Sequence, residues 1–198
     1  MASRAVMALI CAAGVAAAQA QVKRPANPLS TVLRGQYEGV IELVVRAAEK
    51  MPEPNYGFKP TPDVRSFGEL VAHVVSNNLI MCSAALGEAI PPPTADLGSD
   101  KTAKADLQHA LQVAIAYCSR AYGMTDEQLA QSVLERRVTV RLQPLVWNAG
   151  HNYEHYGNMV TYMRMKGFIP PSSERPEIEQ RLQGTEPRQS LPSRALRK

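Results

Sequence analysis

Cysteine and histidine are scarce in this chain, and so are several motifs built from them. Of the three cysteines in 198 residues, Cys11 lies in an apolar N-terminal run, leaving Cys82 and Cys118. They do not form a C-x-x-C, which excludes a thioredoxin-type redox pair and a haem attachment site. The four histidines make no H-E-x-x-H zinc-protease motif, because Glu154 stands directly before His155. The E-x-x-H pairs of di-iron bundles are also missing. A net charge of +4 without a basic stripe and interleaved aromatics argues against nucleic acid as a partner. No convincing run of strands is present, and no continuous apolar run is long enough for a confident membrane span.

What is present begins with residues 1–20, where Arg4 precedes an alanine-rich apolar run that ends in Ala18-Gln19-Ala20. That order is the one a secretory signal peptide uses, with cleavage expected after Ala20 and residues 21–28 as a linker. Ile10 before Cys11 replaces the small residue a lipoprotein site needs. Loss of Arg4 takes the charge from +4 to +3. The mature chain is expected in the periplasm or secreted medium, off the membrane. Disulfides persist there, so Cys82 and Cys118 either pair or remain as two buried, inert thiols.

Hydrophobic periodicity predicts four long helices. Residues 29–50 carry Val32, Leu33, Tyr37, Val40, Ile41, Val44 and Ala48 at the spacing of one helical face, and the proline-rich stretch 51–62 ends them. Ser66 and Glu69 form a capping box for a second helix that runs to Leu86, with Gly87 at its end. Ser99 or Asp100 is expected to cap a third helix reaching Tyr122, and Thr125 opens a short turn. Residues 136–142 read as briefly extended and too isolated to make a sheet. Pro144 suits the first turn of a fourth helix that stops at Gly167. Four such helices make an all-α four-helix bundle over residues 29–171. Residues 172–198 are polar and proline-punctuated, a solvated tail whose Arg188, Arg194, Arg197 and Lys198 give it a basic end.

Inside the fourth helix stands an H-x3-H pair, His151 and His155. Residues four apart share a helical face, about 5–6 Å between Cβ atoms, so two neutral imidazoles there can share one metal ion. The third ligand is expected to be His73, on the apolar side of the second helix. His109 falls out of step with the Leu107, Leu111, Ile115 stripe and is expected to be exposed. Asn77, one turn after His73, and Glu154 are candidates to orient a ligand or move a proton. Tyr37, Trp147, Tyr153 and Tyr156 are candidate pocket walls, though aromatics at helical spacing are also ordinary core. Gly157 is a candidate point of close helix approach.

The runs Ser66-Phe67-Gly68-Glu69-Leu70-Val71-Ala72-His73, residues 151–164 and Gly167-Phe168-Ile169-Pro170-Pro171 resemble the DinB-like superfamily of damage-inducible, metal-binding four-helix proteins. The resemblance implies a divalent metal (Zn, Ni, Fe or Mn) on His73, His151 and His155. It also implies an up-down-down-up bundle, in which parallel second and third helices would bring Cys82 and Cys118 level, and pairing as a homodimer. Some relatives are thiol-dependent transferases or isomerases, but their thiols are cytosolic, which fits poorly with an exported chain. The functional expectation is a metal-dependent hydrolase or transferase acting on a small extracytoplasmic molecule. Its alternative is a non-catalytic metal-binding or helical interaction protein.

Overall fold

The computed structural model describes residues 25–92, 103–134 and 138–174. Four long helices dominate it: α1 (Pro28–Lys50), α2 (Phe67–Leu86), α3 (Lys104–Tyr122) and α5 (Leu142–Met165), with a one-turn α4 (Asp126–Leu129) after α3. The expected signal peptide, with its linker up to residue 24, and the basic end of the tail lie outside the described residues.

Each helix end has a local cause. Ser66 Oγ accepts from the Glu69 amide, and the Glu69 carboxylate accepts from the Ser66 amide, closing the capping box that starts α2. Gly87, at φ +73°, takes the left-handed turn that ends it, a conformation open to glycine at little cost. The guanidinium of Arg141 donates to the last carbonyls of α2, those of Ala85 and Leu86. α1 starts on Pro28 and has no cap of its own. Instead the Asp126 carboxylate accepts from the Leu29 and Ser30 amides, and Asn27 Oδ1 accepts from the Asp126 amide. Gly167, at φ +80°, follows α5, and the Phe168 amide reaches back to the Met163 carbonyl at 2.8 Å.

The third helix departs from expectation. It begins at Lys104 behind Ala103, with no side-chain cap, and Ser99 and Asp100 lie outside the described residues. Lys104 reaches across instead, donating to the carbonyls of Glu49 and Met51 at the end of α1. The stretch expected to be too isolated for a sheet makes one. β1 (Ser132–Leu134) and β2 (Val138–Val140) pair antiparallel, with Val133 opposite Thr139. Strands of three residues hold too little alternation to register as a pattern. The folded body also runs past residue 171: Glu174 pairs with Arg46 and Lys50 of α1.

Contacts between helices fix the topology. α2 and α3 run parallel, with Gly68 beside Leu107 near their starts and Glu88 bound to Tyr117 and Arg120 near their ends. α1 is antiparallel to α3, since Arg34 reaches the Tyr122 carbonyl while Gln108 reaches that of Ala48. α5 is antiparallel to α2. The bundle is therefore up-down-down-up, and its core packs Val40, Val44, Val74, Leu111, Leu145 and Met159 with no surface left to solvent or 1% at most. Cys82 and Cys118 sit level on the parallel pair, Cα atoms 5.3 Å apart, and form a disulfide. Closing a loop of 36 residues stabilises the fold by about 3–4 kcal/mol in the chain-entropy account.

Candidate metal centre

α2 supplies His73, and α5 supplies His151 and His155 from successive turns. The antiparallel crossing of the two helices turns all three imidazoles toward one point. His151 Nε2 lies 3.1 Å from His73 Nε2 and 3.0 Å from His155 Nε2. His151 and His155 are buried and His73 is half-buried.

This arrangement cannot be completed by hydrogen bonds alone. An imidazole Nε2 carries either one proton or one lone pair, so His151 Nε2 cannot be a good partner to both neighbours. Burial keeps the rings uncharged: His151 is pushed down to about 4, by desolvation first and then by His155, His73 and Arg65. His73 and His155 are lowered as well, again mainly by burial. Three neutral imidazoles offering Nε2 lone pairs to one spot are a metal-ligand set. Nitrogens 3.0–3.1 Å apart are also what two ligands about 2.0–2.1 Å from one ion leave between them. The residues fit a divalent ion.

Around the triad the outer contacts are uneven. The Asn158 carboxamide lies 3.4 Å from His155 Nδ1, the kind of second partner that sets a ligand's tautomer and ring orientation. His151 Nδ1 is buried without a partner among the described residues. The Trp147 ring stacks on His151, centroids 4.9 Å apart and planes 25° from parallel. On the other side, a cleft of about 610 Å³ opens beside His155, with Lys59, Arg65, Glu69, Glu154 and Tyr162 among its walls. Glu154 is exposed there, and its charge favours protonation of His73 and His155.

The expected residues divide. His109 is exposed, away from the triad. Asn77 faces a second polar cluster rather than the triad's nitrogens, donating to Asn148 Oδ1 at 2.9 Å. Of the four candidate aromatics only Trp147 touches the triad. Tyr37 stacks on Tyr122 in the core, Tyr156 accepts from the Ser172 amide, and Tyr153 is exposed beside Gln36. Gly157 faces open space, so no helix approaches it closely.

Sequence reasoning missed a second polar cluster one turn away. Asn78 Nδ2 donates to the Val74 carbonyl and to Asn152 Oδ1, while Asn148 Nδ2 donates to Asn78 Oδ1 and to the Tyr122 hydroxyl. Asn78, Asn148 and Asn152 are fully buried, and Asn77 nearly so. The available signal was polar residues standing at core positions, with Asn148 and Asn152 spaced four apart like the histidines.

A helical bundle with a three-histidine centre between its second and last long helices defines the class. The chain belongs to the DinB superfamily, whose model matches residues 36–159. Among solved structures it is similar to a DinB-like protein from Bacillus cereus, with a TM-score of 0.61 and 15% identity over 70% of this chain and 93% of that one. A DinB-like protein from Bacillus subtilis gives 0.57 and 22%, over 72% and 99%. A mycothiol-dependent maleylpyruvate isomerase, solved as a mutant, gives 0.54 and 14%, over 66% and 60%. Likeness at these identities shows a shared fold. No curated protein matches the chain significantly.

Proposed function

We propose that the protein is a divalent-metal-dependent enzyme of the hydrolase or transferase type, exported from the cytoplasm and acting on a small molecule. The observation that carries this reading is the convergence of three uncharged imidazoles beside an open cleft. A metal kept only for structure or storage would be enclosed, whereas one of the three histidines, His155, lines a cleft that a small molecule can enter. Export is supported by the leader-like residues 1–20 and by the Cys82–Cys118 disulfide.

His73, His151 and His155 would hold the ion, with Zn, Ni, Fe and Mn all compatible with imidazole ligands. When bound, such an ion supplies a Lewis acid with coordination positions left open. The remaining work falls to the cleft. Glu154 stands next to His155 on the cleft wall and is placed to accept a proton from a substrate in it. Arg65, exposed on the same wall, lowers the basicity of all three histidines, so its positive charge is felt at the triad and would orient an anionic group. The fold shared with a mycothiol-dependent isomerase is not carried over as activity.

Metal content of the purified chain, measured by mass spectrometry beside His73→Ala, His151→Ala and His155→Ala, tests the reading. Near-stoichiometric metal that each substitution removes is the expected result, followed by screening of hydrolysis and group-transfer substrates. Folded protein that takes up none of Zn²⁺, Ni²⁺, Fe²⁺ or Mn²⁺ would overturn it.

A further inference from the structure

Trp147 is the sole tryptophan in the chain, and 53% of it is exposed. Trp147, His151, His155, Asn158 and Tyr162 follow one another along α5 at spacings of four, four, three and four residues, which keeps them on one side of the helix. The triad therefore sits between two unlike surfaces. Toward Tyr162 lies the charged cleft with Lys59, Arg65, Glu69 and Glu154. Toward the start of α5 lies the indole, one face on the His151 ring and much of the rest open to water.

We infer that Trp147 determines specificity, and that the substrate has two halves: a polar or anionic group held in the cleft and a planar, unsaturated group resting on the indole. The inference rests on the proposed metal-centred reading, which supplies the reacting position between the halves. An exposed indole is a large, rigid, apolar platform, and a flat aromatic ring stacked on it in offset geometry gains beyond the area it buries. The indole lies outside the cleft, so the two surfaces are separate contacts on either side of the triad. Size agrees as well. Eight residues of α5 separate Trp147 from His155, about 12 Å along the axis, a span that two fused rings with a carboxylate largely cover. The competing role for Trp147 is a shield over His151 that makes no contact with substrate.

The test titrates the full chain with 2-naphthoate and with cyclohexanecarboxylate, which share the carboxylate and differ in the flat ring. Binding is read by calorimetry and by emission of the single tryptophan, with zinc supplied and with zinc removed by chelation. We expect 2-naphthoate to bind at least tenfold more tightly than cyclohexanecarboxylate and to quench the emission. Trp147→Leu should abolish that preference with zinc stoichiometry unchanged, and Trp147→Phe should keep part of it. A wild-type protein without the preference, or a folded Trp147→Leu protein that retains it, would overturn the role of Trp147. Zinc uptake is scored separately, so a failed metal centre shows as absent zinc while the preference, read on the zinc-free protein, still decides whether the indole is the platform.

Discussion

Two buried polar clusters bridge α2 and α5 about one turn apart, and they differ in whether their hydrogen bonds can be completed. The asparagine cluster is nearly closed on itself: carboxamides carry both donors and acceptors, and Asn77, Asn78, Asn148 and Asn152 pair them across the interface. The histidine cluster brings together three nitrogens of one kind, and His151 Nδ1 has no partner among the described residues. Satisfied buried networks rigidify an interface and fix its register, whereas convergent unsatisfied acceptors need something from outside. Burial alone therefore does not separate a structural cluster from a functional one. The balance of donors and acceptors does.

The sharpest way to break this contrast is Asn78→Leu. It strands groups on Asn148 and Asn152, at about 1–3 kcal/mol for each unsatisfied group, so a loss of about 3–5 kcal/mol is expected in urea denaturation, with metal binding weakened because the helix register is lost. Replacing Cys82 and Cys118 together by serine should cost about 3–4 kcal/mol, read the same way, because the bridge lies against the asparagine end of the interface. His151→Ala should behave oppositely. The metal-free protein should change by less than about 1 kcal/mol, while the stabilisation given by an ion at a hundred times its Kd, about 2.7 kcal/mol, should vanish from thermal melts. A His151→Ala protein destabilised as heavily as Asn78→Leu would erase the distinction.

The smallest effect is one of pH. His151 titrates near 4 in the folded chain and near 6.5 when unfolded. Above pH 6.5 both states hold it neutral and its contribution is flat. As pH falls from 6.5 toward 4 the unfolded chain takes up the proton first, so stability of the metal-free protein should decline across that window. The decline should be shallower in His151→Ala. Equal slopes would place the low basicity of this site elsewhere.

The helices and the triad were legible because each rests on local chemistry. The Ser66–Glu69 box, Gly87 and the four-residue spacing of His151 and His155 are written within single turns. Joining His73 to them rests on its place on the apolar side of the second helix together with the family resemblance, since the two helices meet only through tertiary packing. The asparagine cluster was opaque for a related reason: carboxamides at core positions read as interruptions of an apolar stripe until their partners are known. Arg65 looks like an ordinary exposed residue in the sequence, and Trp147 stands there as one of four candidate aromatics that only the fold can sort, by stacking it on His151.

The order of these links along the chain bears on when the protein becomes competent. The disulfide joins residues 36 apart, while His73 and His151 are separated by 78. Contacts that close short loops form at lower entropic cost than those that close long ones. The two middle helices can thus be joined covalently while the last long helix is still undocked, and the histidine triad is assembled only when that helix arrives. Capture of an ion would then mark the final step of maturation, and a chain stalled before it would be oxidised, largely helical and inert.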